Sequence, residues 1–267
     1  MATILQLIQS ACAEMGLAVP ALVVGNTNTD TVQMLALANA QGQELQREFN
    51  WQHLNKEYRF TAQFLVTTGT VTSGSAVITG IPSTTGLDTN YMVTGSGANQ
   101  DTFISSVDSA TQITMTQGAS ASGIVTVNFC KVLYSLPSDY SQKVDNTDWD
   151  KSRHWRMIGP VTPDSWQFLK SGFTATGPRV HYRLRQNKFE IWPPLTTADY
   201  LGFEYISNGW VESAAGVAKS AFSVDTDTCV YPDRLMITGI KRKYFEVKGL
   251  DPSAHTRDYS LQLELAK

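Results

Sequence analysis

Cysteine is scarce in this chain: Cys12, Cys130 and Cys229 lie far apart among 267 residues. No pair has Cys-x-x-Cys spacing, and an odd number cannot all pair, so a full disulfide framework is excluded. The expectation is reduced thiols and synthesis in a cytoplasm. Histidine is also scarce, and His53, His154, His181 and His255 are too widely spaced for a local metal motif. No apolar run approaches the roughly 20 residues of a membrane helix. The N-terminus has neither a basic start nor a signal-type apolar stretch. The chain is therefore expected to be neither exported by such a signal nor embedded in a bilayer. Net charge is −3, with 42% hydrophobic and 17% charged residues. That balance supports a real core and lacks the basic footprint of a wholesale nucleic-acid binder. Phosphate-cradling, dinucleotide and nucleophile-elbow glycine motifs are missing as well. Gly95-Ser-Gly97 has no following helix and reads as a turn.

The sharpest shortage is local. Across residues 65–132 the only charged side chains are Asp88, Asp101, Asp108 and Lys131, set in a long run of Thr, Ser, Gly, Val and Ile. Val125-Thr-Val-Asn-Phe129 alternates strictly. Ser75–Thr79, Tyr91–Thr94, Thr102–Ser105 and Gln112–Met115 are further strand candidates, with turn residues between them, so a small antiparallel sandwich or barrel is predicted. Remove this run and Glu57-Tyr-Arg-Phe-Thr61 abuts Tyr134-Ser-Leu-Pro137. The reading is an all-β module, 65–132, inserted into a host formed by 1–64 and 133–267.

The host reads as α+β, a helical bundle of N- and C-terminal helices with a small antiparallel sheet. Thr3 caps a first helix with Ile4, Ile8, Ala11, Cys12 and Met15 on one face and Gly16 as its stop. Asp30 is the expected cap of a second helix, whose apolar face would be Val32, Leu35, Ala38, Gly42, Leu45 and Phe49. The small residue at 42 would admit another helix, with Trp51 and Leu54 covering the end of the pair. Residues 56–62 look extended. Thr162-Pro-Asp-Ser165 is a strong helix start. Residues 179–185, 188–193 and 201–206 alternate and together predict a three-stranded antiparallel sheet. Tyr231-Pro-Asp233 and Asp251-Pro252 open two closing helices, the first ended by Gly249.

Candidate chemistry is thin. Glu44 and Glu48 are one helical turn apart, as a solvated face or as paired acids for glycosidic cleavage, although opposed carboxylates are missing. Lys241-Arg-Lys243 with Lys248 opposes a helix dipole or contacts an acidic partner or DNA phosphates. Trp149, Trp155, Trp166, Trp192 and Trp210 fall beside Arg153, Arg156, Arg179, Arg183 and Arg185. Trp and Arg fill cores and are also enriched at interface hot spots. One face of strand 179–185 would pack inward while Arg179, Arg183 and Arg185 meet a neighbouring subunit or partner.

Several stretches in order then carry a resemblance. They are Ile4–Leu17, Leu35-Ala-Leu-Ala-Asn39 through Glu44-Leu-Gln-Arg-Glu-Phe-Asn-Trp51, Asp145-Asn-Thr-Asp-Trp-Asp150, Ile158–Trp166, Phe203-Glu-Tyr-Ile-Ser207 and Asp225-Thr-Asp227. Their order and spacing resemble the head-to-tail adaptors of tailed bacteriophages, the connector, head-completion or tail-tubular-protein-A-like proteins. The resemblance spans both host segments, about three quarters of the chain. The departure is 65–132, which resembles Thr/Gly-rich β domains on other phage structural proteins.

The resemblance implies a virion structural protein, assembled in the host cytoplasm and resident in the particle's neck, with no catalysis, cofactor or metal. Its partners would be copies of itself in a ring of about twelve subunits, the portal protein, and a tail nozzle or tail-tube protein. Genomic DNA would pass through the lumen without sequence-specific binding, and no membrane is involved. By position the portal contact would be the C-terminal segment, with Tyr259, Leu261, Leu265 and Lys267. The alternative is packing of that helix on the first two helices. Two other functions stay open: an adhesin-like or tail-fibre-docking role for 65–132, and a peptidoglycan hydrolase using Glu44 and Glu48.

Overall fold

A computed structural model describes residues 1–172 and 177–267. It is α+β, with five helices and several antiparallel sheets among the described residues. In chain order the elements begin α1 (Ile4–Met15), α2 (Thr29–Glu48), β1 (Asn55–Thr61), β2 (Phe64–Val71), β3 (Val77–Ile78), β4 (Tyr91–Gly95), β5 (Thr102–Ser109), β6 (Gln112–Met115) and β7 (Gly123–Lys131). They continue as β8 (Leu133–Ser135), β9 (Tyr140–Lys143), β10 (Trp149–Asp150), β11 (Trp155–Arg156), α3 (Pro163–Lys170), β12 (His181–Arg185), β13 (Lys188–Trp192) and β14 (Tyr200–Ser207). Last come β15 (Val211–Glu212), β16 (Ala218–Lys219), β17 (Thr228–Cys229), α4 (Asp233–Val247) and α5 (Ser253–Ala266). Two compact units result: residues 1–56, 138–143 and 205–267 form one, and residues 57–137 and 144–204 form the other.

The first unit is built on α1, α2, α4 and α5. Local chemistry sets α1: the Thr3 hydroxyl accepts from the Gln6 N–H, the Gln6 side chain accepts from the Thr3 N–H, and Gly16 closes the helix at φ 71°. Its buried face is Ile4, Leu7, Ile8, Ala11 and Cys12. For α2 the sequence expectation needs correcting. Asn28, not Asp30, is the cap, and its side chain accepts from the N–H groups of Asp30 and Thr31. The buried face is Thr31, Met34, Ala38, Gln41, Gly42 and Leu45, whereas Val32 is 49% exposed. The nearest neighbour of Gly42 is a tryptophan. A Cβ placed there would lie 2.2 Å from the Trp210 indole, and this contact fixes which stripe of α2 turns inward. Trp210 stacks near Tyr231 at 6.1 Å and meets Phe222 edge-on at 5.1 Å, while Trp51 meets Tyr231 at 5.2 Å. A small sheet in the order β16-β15-β17 borders this cluster through Val211 and Cys229, both buried.

The second unit contains most of the strands. Strands β2 to β7 form one six-stranded antiparallel sheet in the order β2-β7-β4-β5-β6-β3. Its ends curl together: Thr70 and Thr79 exchange two backbone hydrogen bonds of 2.7 and 3.1 Å, leaving a nearly closed barrel. Ile78, Ile104, Ile113, Val127 and Phe129 fill it. Alternation of β-branched and hydroxyl residues, with few charges, builds such a pleated, one-side-buried surface. The chain enters the barrel at Gln63 and leaves at Lys131, and the Lys131 N–H donates to the Gln63 carbonyl at 2.9 Å.

The expected three-stranded sheet from 179–206 is also corrected. β12 and β13 do pair, but the third strand is β8, giving β12-β13-β8. β14 lies in another sheet, between β1 and β10. The reason is that β13 is buried on both faces, with Phe189, Glu190, Ile191 and Trp192 all inside. It therefore takes a packing layer on each side instead of one. Thr162 and Pro163 start α3 as expected, the Thr162 hydroxyl accepting from the Ser165 N–H.

Gly42→Ala is expected to lower stability by about 1–3 kcal/mol, the usual cost of overpacking. A urea titration would show a lower midpoint with an unchanged slope, and an unchanged midpoint would mean that Trp210 does not sit on Gly42.

Candidate functional site

The residues singled out in the sequence fall into separate places. On the helical unit, α5 turns Tyr259 and Leu263 inward. Gln41 donates its side-chain N–H to the Tyr259 hydroxyl at 3.1 Å, and that hydroxyl donates to Glu48 at 3.3 Å. The Arg242 guanidinium lies 4.4 Å from the centre of the Tyr259 ring, a cation–π distance. Burial, opposed by the Gln41 hydrogen bond, pushes the phenol up to about 12. Tyr259 is thus a clasp between helices. Leu261 and Leu265 point the other way and are 55% and 73% exposed. They are one turn apart, on one line of the helix. The Lys267 ammonium stands 4.0 Å from Glu48 and 5.6 Å from the Phe49 ring.

Beside this clasp an open cavity of about 490 Å³ is lined by Gln43, Glu44, Arg47, Glu48, Arg242 and Tyr259. Glu44 and Glu48 both reach it from one face of α2, and Glu44 is taken up by ion pairs. Glu44 is held by Arg242 at 3.1 Å and by Lys243. Burial alone would raise its carboxyl, yet the hydrogen bonds and charges of Lys243 and Arg242 outweigh it and hold the carboxyl below the usual range. An acid kept ionised is no proton donor near neutral pH. Glu14 is set in the same way, with burial overcome by Lys241 and Arg234.

The basic stretch on α4 is absorbed by these contacts. Lys241 pairs with Glu14 at 2.7 Å, Arg242 and Lys243 with Glu44, and Lys248 with Asp30 at 3.2 Å. Sequence reasoning offered a helix dipole or an outside partner. Cross-helix ion pairs went unseen because the partners are some 200 positions away.

In the strand-rich unit, Arg179 and Arg185 are exposed and Arg183 is half-buried. Arg185 lies 3.6 Å from Glu190, a carboxylate 2% exposed that also has Lys170 at 3.9 Å. Arg153 serves the fold itself, donating to Asp199 at 3.0 Å. Of the five tryptophans between 149 and 210, Trp166, Trp192 and Trp210 are buried, while Trp149 and Trp155 are 44% and 37% exposed. Trp149 borders an open groove of about 510 Å³ with Glu57, Lys151, His154 and Glu204.

The three thiols are buried and free. Burial pushes Cys130 up to about 11 and Cys229 up to about 12, so neither ionises readily as a nucleophile. Among the described residues no group of three or more His, Cys, Asp or Glu is placed to hold a metal. No described helix is long and apolar enough to cross a membrane. The chain matches no family model, and a search of curated proteins finds no relative.

Glu14 and Glu44 are both depressed in the folded state. Their contribution is therefore fully present above the ordinary carboxylate value, about 4.3, and is lost as pH falls through the lower folded values. Below about pH 4 the wild type is expected to lose stability more steeply than Glu14→Gln or Glu44→Gln, by thermal melts across pH 2–7. Parallel curves would remove both pairs from the account.

Proposed function

We propose that this chain is a virion structural protein, a head-to-tail adaptor that forms a ring between portal and tail and extends the DNA channel. The observation that carries the reading furthest is the last helix. Its inner stripe is fastened by Tyr259 and Leu263, while Leu261 and Leu265 form an outward apolar ridge on α5. A rigid amphipathic helix with a second apolar line is a ready contact for a groove on another protein. The ordered resemblance across both flanking segments supplies the identity of that partner, the portal.

Ring formation follows from repetition. A template with many equivalent sites raises the effective concentration of neighbouring copies, so modest contacts suffice. Arg179, just before β12, and Arg183 and Arg185 on it are the residues proposed to meet the next copy. The charge distribution suits a conduit: the net charge is −3, and the α4 cations are already paired, so few are free to grip passing phosphates.

The finer architecture proposed is a terminal-helix bundle host carrying 65–132 as an inserted module. The hydrogen-bonded neighbours Gln63 and Lys131 support it, since an insertion needs its two ends adjacent. The barrel's outer face carries Val66 and Ile124, 51% and 78% exposed, which favours a docking role there, with tail fibres as the proposed partner.

Mixed with portal, the protein is expected to give rings by electron microscopy. Leu261→Asp with Leu265→Asp is expected to abolish that binding with a stability change within about 0.5 kcal/mol, as for exposed sites. Rings that persist in the double variant would remove α5 as the portal contact. Replacing residues 65–132 by a Gly-Ser link is expected to preserve ring formation and lose fibre attachment. Loss of the rings themselves would show that the barrel is not separable.

A further inference from the structure

The seam where the barrel closes leaves part of β2 without a neighbour. At its start the Lys131 N–H donates to the Gln63 carbonyl at 2.9 Å. From there the register of β2 with β7 is continuous, from Phe64 opposite Cys130 to Val71 opposite Gly123. Hydrogen-bonded pairs alternate along an antiparallel ladder. Leu65, Thr67, Gly69 and Val71 therefore turn their backbone groups toward β7, and Phe64, Val66, Thr68 and Thr70 turn theirs away. Thr70 gives the same parity independently, because its N–H and carbonyl both bond Thr79.

The free stretch has definite limits. Upstream, the Ala62 N–H donates to the Asp199 carbonyl at 2.8 Å. Downstream, Gly80 at φ 67° turns the chain after Thr79, and the Ile81 N–H donates to the Thr111 carbonyl at 3.1 Å instead of meeting Thr68. Among the described residues, the outward N–H and C=O groups of Phe64, Val66 and Thr68 have no partner. All three residues are exposed, Phe64 by 38% and Val66 by 51%. Natural edge strands are usually blocked by a lysine, a proline or a bulge. The stretch Phe64-Leu-Val-Thr-Thr-Gly-Thr-Val71 has no charge, no proline and no register shift.

We infer that this edge is a contact between two copies of the chain, joined by antiparallel pairing of β2 with β2. Complementarity selects a second copy as the occupant. The free residues are symmetric about Val66, so a two-fold axis there sets Val66 against Val66 and Phe64 against Thr68. Three such pairs exchange about six hydrogen bonds. With no charged side chain on β2, no like charges meet. Only this register works. A slip by one residue sets free groups against groups already bonded to β7. A slip by two sets one of them against Thr70 or Ala62, both already bonded. The contact is one strand wide, below the size of a standard interface, so the dimer is weak. It is a state of the free chain and uses neither α5 nor the β12 arginines, so it and ring assembly can fail separately.

Sedimentation equilibrium of the full chain from about 1 μM to about 1 mM is expected to show monomer and dimer in exchange. Val66→Pro deletes one outward N–H in each copy and leaves the β7 ladder intact. It is expected to weaken the dimer about tenfold or more, with an unchanged circular dichroism spectrum. Val66→Lys and Val66→Glu each place like charges across the axis. Either alone is expected to stay monomeric, and an equimolar mixture of the two is expected to recover the dimer. The pairing is overturned if the wild type stays monomeric, which would leave the edge to a strand of another protein. It is equally overturned if Val66→Pro associates as tightly as the wild type, or if the Lys and Glu variants do not pair with each other.

Discussion

The strand-rich unit depends on one stack of three rings. Phe189, fully buried, lies between Tyr182 at 4.8 Å and 9° and Phe203 at 4.9 Å and 11°. Tyr182 and Phe189 come from β12 and β13, and Phe203 from β14, so the stack joins two separate sheets. Phe60 on β1 adds an edge contact to Phe189 at 5.8 Å and packs on Tyr134 of β8 at 4.3 Å. Aromatic pairs of this kind contribute about 0.5–1.5 kcal/mol each beyond the area they bury. Their larger effect is on register. A one-residue slip of β13 would turn Phe189 away and bring a charged neighbour, Lys188 or Glu190, into the stack.

The helical unit has its own aromatic nucleus, and it works by a different constraint. Trp210 is large, 1% exposed and presses the six-membered ring of its indole against α2, where only a residue without Cβ fits. The consequence spreads along the helix. Once Gly42 is fixed against the indole, Gln41 falls beside Gly239 of α4, where a Cβ would come within 2.5 Å of it. Gln41 then reaches the Tyr259 hydroxyl, which positions α5. Thus the exposed line of Leu261 and Leu265 is determined from outside α5, by two glycines and one tryptophan.

This explains what was legible in the sequence. Helix ends set by near neighbours are legible: Thr3, Gly16, and Thr162 with Pro163. So is the strand-rich character of 65–132, because alternation and β-branching are local. The inward stripe of α2 is not, because Val32, Leu35 and Phe49 compete with Thr31, Met34 and Gln41 on pattern alone, and Trp210 decides between them. The partner of β13 was missed for a related reason. Period-two alternation identifies strands but carries no information on which two will pair, and Glu190 disguises a strand buried on both faces.

Charge in the helical unit follows from the same geometry. Lys241 and Glu14 are 227 positions apart in sequence and 2.7 Å apart in space. Lys243 and Glu44, and Lys248 and Asp30, repeat the arrangement between α4 and α2. Exposed pairs of this kind contribute little net stability, with a median of about 0–1 kcal/mol. Their importance is positional. A helix pair held only by apolar side chains tolerates small shifts along its axis, whereas a row of opposite charges favours one alignment. The same pairing consumes the positive charge that a run such as Lys241-Arg242-Lys243 would otherwise offer to phosphates. A basic segment therefore serves to align helices, and the proposed partner contact falls to the apolar residues left outside that alignment.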